Sequence, residues 1–103
     1  MRHNVQVAVS REKINEFCKR HHIHKLSLFG SVLRSDFSAG SDVDVLVEFK
    51  PGQGPGFLGL AQMERELSAI FGGRKADLRT PQELSKYFRD EVLSSAEVQY
   101  VEG

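Results

Sequence analysis

The segment AspValAspValLeuValGluPhe (42 to 49) constrains the fold more than any other stretch of this chain. Valines at every second position are the mark of a strand, and turn-forming residues bound the run on both sides. SerAspPheSerAlaGlySer (35 to 41) precedes it, and ProGlyGlnGlyProGly (51 to 56), with two prolines and three glycines, breaks any regular element behind it. In an extended chain Val43, Val45, Val47 and Phe49 share one face, and Asp42, Asp44, Leu46 and Glu48 share the other. The loop at 51 to 56 reads as a plain connection in preference to a lid.

The remaining elements follow from periodicity. Ser10 is an N-cap candidate, and Ile14, Phe17, Cys18 and His21 recur on one helical face, so a first helix spans roughly 11 to 21. HisHisIleHis (21 to 24) closes it, and Leu26, Leu28 and Phe29 form a buried strand that stops at Gly30. Ser31 to Arg34 fit one helical turn. Leu60, Met63, Leu67, Ile70 and Phe71 mark a second helix ended by Gly72 and Gly73, and LysAlaAspLeuArg (75 to 79) is a short strand. ThrProGlnGlu (80 to 83) is a capping box that starts a third helix with Leu84, Tyr87, Phe88 and Val92 on its apolar face. The tail AlaGluValGlnTyrVal (96 to 101) fits an edge strand. Strands interleaved with helices predict an α/β (α+β) sheet layered with helices.

Size and charge narrow the function classes. A chain of 103 residues forms one domain, 1 to 103, with one core and no room for a separate template or substrate domain. Fourteen basic residues balance fourteen acidic ones, which leaves no charge reservoir for counterion release and argues against duplex nucleic acid as a ligand. No run approaches the ~18 apolar residues of a membrane span. The first residues lack the apolar core of a signal peptide, and the single cysteine, Cys18, has no internal partner, so a reducing, cytoplasmic location is expected. A secreted protein read without its signal is the alternative.

Asp42 and Asp44 project from one strand face about 6.6 to 7 Å apart at the backbone and can converge on a cation. Like charges held this close on an apolar strand are costly without a counter-ion. Taken alone, the pair is equally a solvated strand face or a turn cap. Gly30 and Ser31 change the balance, because a glycine between a strand and a helical turn lets a phosphate approach exposed N–H groups and a serine hydroxyl. A phosphate cradle beside paired hard carboxylates is an apparatus for holding a nucleoside triphosphate through magnesium. Arg34 lies one short turn beyond Ser31, within reach of a phosphate or of Asp36. His21, His22 and His24 lack the further ligands of a closed zinc site and suit a helix C-terminus as cations. Cys18 sits on an apolar face as a small core residue.

LeuPheGlySerValLeuArgSerAsp (28 to 36) followed by GlySerAspValAspValLeuValGluPhe (40 to 49) closely resembles the minimal nucleotidyltransferase domains of the DNA polymerase beta superfamily. More narrowly, it is similar to the small antitoxin partners of HEPN toxins. The resemblance is tight over 23 to 49 and looser over the rest, including AlaAspLeu at 76 to 78. It implies a mixed sheet flanked by helices, two magnesium ions on Asp42 and Asp44, and a triphosphate on Gly30 and Ser31 with Arg34 beside them. A third carboxylate is implied on a later strand, and Asp77, in the first strand after the loop, takes that place. The implied activity is transfer of AMP from ATP to a hydroxyl, a tyrosine in particular, of a cognate HEPN ribonuclease toxin. Two alternatives stand: an antitoxin that neutralises by binding alone, and a nucleotidyltransferase acting on a small molecule of the aminoglycoside type.

Overall fold

The computed structural model describes residues 10–30 and 42–102. Its elements run α1 (Arg11–Arg20), β1 (Ile23–Phe29), β2 (Val43–Phe49), α2 (Phe57–Ile70), β3 (Ala76–Arg79), a single 3-10 turn (Pro81–Glu83), α3 (Lys86–Ser95) and β4 (Glu97–Val101). The four strands form one mixed sheet in the order β3-β2-β1-β4. β1 is antiparallel to both β2 and β4, whereas β2 and β3 are parallel. A parallel pair needs a long crossover, and α2 supplies it.

The alternation of β2 decides how the layers stack. Val43, Val45 and Val47 are fully buried in a core shared with Leu26 and Leu28 of β1, Ile14, Phe17 and Cys18 of α1, and Met63 and Leu67 of α2. The opposite face carries a smaller cluster of Phe29, Leu46, Leu84 and Val92, with α3 as its cover. The pairing Leu26↔Val47 and Leu28↔Val45 keeps every core residue on one side, and a slip by one residue would send the valines to the other face.

The expected mixed sheet with flanking helices is observed, and the tail is an edge strand. Three local expectations are corrected. β1 begins at Ile23, not near Leu26, because His22 takes a left-handed conformation (φ 57°) that reverses the chain in one residue and delivers Ile23 to the core. The capping box at Thr80 opens a 3-10 turn, not the third helix. Glu83 accepts hydrogen bonds from the Thr80 N–H (3.0 Å) and hydroxyl (3.1 Å) as expected, but Leu84 is extended (φ −79°, ψ 141°) and ends the turn. The helix then starts afresh, with the Ser85 hydroxyl accepting from the Phe88 N–H at 3.3 Å. That restart rotates the helix, so Leu84 and Val92 are buried while Tyr87 is 94% exposed and Phe88 47% exposed.

The end of α1 is clamped to α2. Glu66 accepts hydrogen bonds from Arg20 Nη1 at 2.8 Å and pairs with His21 Nε2 at 2.6 Å. Partial burial pushes the Glu66 carboxyl up, but the bonds to Arg20 and His21 outweigh it and the net direction is down. A carboxylate lowered by folding stabilises the fold above its unfolded pKa, and that stabilisation is lost as pH falls through the folded value. Glu66→Gln should therefore melt about 2–5 °C below the natural chain at pH 7, the scale of a partly exposed ion pair in a domain of this size. The gap should close as pH falls below the carboxylate range. Thermal melts at pH 7 and pH 3.5 check this, and a gap that widens in acid would contradict the clamp.

Candidate active site

The site is built on β2, at the end where it pairs with β1 on one side and β3 on the other. Phe29 of β1 pairs with Asp44, and Asp44 pairs in register with Asp77 of the parallel strand β3. Neighbouring strands lie about 4.8 Å apart, so the two aspartates stand side by side on the face opposite the main core. Asp42 lies two residues before Asp44 and is exposed, whereas Asp44 is half-buried. The backbone at this end is held by the Val43 N–H, which donates to the Lys75 carbonyl at 2.8 Å.

Gly30 closes the arrangement. It ends β1 with φ 74°, a conformation that favours glycine, and its backbone lies directly against the Asp44 carboxylate. A Cβ placed on it would overlap Asp44 Oδ2 and stand 3.2 Å from Cγ. Position 30 therefore favours glycine on torsion, and a Cβ there would have to push the Asp44 carboxylate aside.

β3 is an edge strand of four residues, tied to α2 by one side chain and carrying one ion pair of its own. The Glu64 carboxylate of α2 accepts the outward-facing Leu78 N–H at 2.9 Å, and Arg79 donates to Asp77 Oδ2 at 3.2 Å. Neither Glu64 nor Arg79 belongs to the set expected from sequence. The spacing of Asp77 and Arg79, two residues apart on one strand, was a legible signal for the second; Glu64 is distant in sequence and left none.

Of the expected site residues, the structure brings together Gly30, Asp44 and Asp77, with Asp42 at the same end of β2. Ser31 and Arg34 lie outside the described residues. Cys18 is fully buried at 0% exposure and burial pushes its thiol up to about 12, which removes it as a nucleophile. His21 is engaged with Glu66. Among the described residues no three His, Cys, Asp or Glu side chains gather into a ready metal cage. The donors at the site are all carboxylates, the hard oxygen ligands that magnesium selects, and magnesium commonly takes only one or two carboxylates, completing its shell with phosphate oxygens and water. The residues present fit that ion.

A mixed sheet with adjacent strand carboxylates facing a glycine turn defines a nucleotidyltransferase fold. Residues 12–102 match the family described as Polymerase beta, Nucleotidyltransferase, and the chain belongs to it and is a nucleotidyltransferase. A protein of Methanocaldococcus jannaschii named "putative protein adenylyltransferase" is 31% identical over 86 residues, covering 84% of this chain and 89% of its own. A crystal structure of a toxin–antitoxin with AMP-PNP superposes with a TM-score of 0.72 at 16% identity, covering 91% of this chain and 75% of that one. The complex of a tri-AMPylated Shewanella oneidensis HEPN toxin with its MNT antitoxin gives a TM-score of 0.64 at 16% identity, covering 89% and 70%. These two likenesses speak for the fold.

Gly30→Ala tests the close approach. It should destabilise the fold by about 1–2 kcal/mol, the cost of a left-handed residue with a Cβ, and displace Asp44. The expected outcome is a lower melting temperature together with loss of nucleotide-dependent stabilisation in the same melt. A variant that folds and gains as much from magnesium and ATP as the natural chain would show that the carboxylate can move freely.

Proposed function

We propose that this chain is a magnesium-dependent protein adenylyltransferase that transfers AMP from ATP to a tyrosine hydroxyl of a HEPN ribonuclease toxin and so acts as its antitoxin. The observation that carries the reading is the in-register pair Asp44 and Asp77 with the Gly30 backbone against Asp44. The M. jannaschii relative's name supports adenylyl transfer to protein, and the toxin–antitoxin complexes of the same fold support the nucleotide and the partner.

In this reaction the acceptor oxygen forms a bond to the α-phosphorus while the bond from that phosphorus to the pyrophosphate oxygen breaks, and the hydroxyl proton leaves to a base. Magnesium, when bound, activates the hydroxyl and neutralises the departing pyrophosphate. Asp42, Asp44 and Asp77 are the residues that would hold two such ions. Asp77 stands on the strand edge of the site, where a carboxylate can alternatively accept the hydroxyl proton. Gly30 gives the phosphates access to backbone N–H groups, and Ser31 and Arg34 are the proposed further phosphate contacts. The cytoplasm, where ATP and magnesium are abundant, is the proposed location; among the described residues no helix is long and apolar enough to cross a membrane.

The test is transfer of label from α-labelled ATP to a HEPN ribonuclease toxin mixed with this chain. Asp42→Asn and Asp44→Asn should each lower the rate by about two orders of magnitude or more, since several kcal/mol of charge stabilisation is at stake. Asp77→Asn should also impair transfer. Activity within threefold of the natural chain in the Asp44 variant would remove the reading, as would an acceptor that stays unlabelled while still being neutralised.

A further inference from the structure

The two edges of the sheet are treated differently. The outer edge of β3 is closed by the Glu64 carboxylate, which takes the Leu78 N–H, whereas β4 has no strand or helix backbone on its outer side among the described residues. Along β4 runs an open groove of about 740 Å³ whose second wall is α1. Arg11, Asn15 and Lys19 line that wall at intervals of four residues, one stripe of the helix. The strand presents Val98 and Val101, 42% and 56% exposed, on the sheet face away from α1, since they pair with Ser27 and Lys25, and Gln99 between them is a bulge.

The charge of the groove is unbalanced. Its one acid, Glu102, is ion-paired with Lys50 at 2.5 Å, and neither Arg11 nor Lys19 has an ionic partner among the described residues. Two cations without an ionic partner among the described residues, beside half-exposed valines on a strand edge with no described neighbour, form a surface that an extended acidic chain complements. Such a segment pairs its main chain along the edge, sets apolar side chains on Val98 and Val101, and meets Arg11 and Lys19 with carboxylates. A second copy of this chain would bring the same two cations face to face with these. Single-stranded nucleic acid would need aromatic stacking platforms, but Tyr100 packs against the core.

We propose that the groove between α1 and β4 binds an extended, acidic segment of a partner protein. The groove runs along the β4 edge, and β1 separates that edge from the strands that carry Asp44 and Asp77, so a partner held there leaves the nucleotide site open. The inference stands apart from adenylyl transfer and is tested without nucleotide.

The probe is a fluorescent, acetylated octapeptide that alternates Glu and Val, titrated with the full chain by anisotropy. An alternating Lys and Val peptide and a twelve-residue oligothymidine serve as comparisons. The Glu/Val peptide should bind saturably and the Lys/Val peptide about tenfold more weakly or not at all, the scale of two exposed charge contacts. Arg11→Glu with Lys19→Glu should reverse that preference without changing the melting temperature, and Val98→Asp should weaken the Glu/Val peptide. Asp44→Asn should bind it as the natural chain does, which separates this surface from the active site. The proposal is overturned by equal binding of both peptides, by absence of binding up to millimolar peptide, by tighter binding of oligothymidine, or by a dimer in sedimentation that the Glu/Val peptide does not dissociate.

Discussion

The fold depends on one strand being buried on both faces. β2 is flanked by β1 and β3, its valines face α1 and α2, and Leu46 lies in the second cluster under α3. Fully burying a valine side chain contributes roughly 1.5–3 kcal/mol, so Val43, Val45 and Val47 together outweigh the cost of setting aspartates at the start of the same strand. The two-residue period also makes the cost unavoidable. Any register that buries the valines aligns Asp42 and Asp44 on the opposite face, and the pairing with β3 then adds Asp77 beside them.

A strand that ends in carboxylates needs its neighbours arranged to tolerate them. Asp42 stays in solvent, Asp77 is met by Arg79, and the half-buried Asp44 receives the backbone of Gly30 where any side chain would collide. Small backbone adjustments outside the main core set this geometry. The edge strand β3 owes its position to Glu64 of the crossover helix, so α2 both connects the parallel strands and fixes the outer carboxylate of the site.

The two helices on the core side are tied to each other as well as to the sheet. Glu66 joins the last turn of α1 to α2, and His22 turns the chain so sharply that α1 leads into β1 with a single left-handed residue between them. One consequence is that α1 lies along β4 as well as over β1, which forms the groove lined by Arg11 and Lys19. The sheet therefore presents a chemical face on one side and a charged furrow at one edge of the other.

Hydrophobic period and turn chemistry are local properties, and they sufficed to place β2, the first two helices, the short strand around Asp77 and the edge strand, as well as the identity of the core valines. The carboxylates and Gly30 were legible for the same reason, since their spacing lies within one strand or at its end. The start of α3 was not. A capping box at Thr80 specifies a helical turn, but whether that turn continues depends on where Leu84 must go, and the second cluster pulls it into an extended conformation. The exposure of Tyr87 follows from that choice alone. Pairing of Asp44 with Asp77, the closure of β3 by Glu64, and the open groove along β4 are likewise matters of tertiary structure. Each joins residues far apart in the chain, and only the packing of a particular sheet order brings them to the same place.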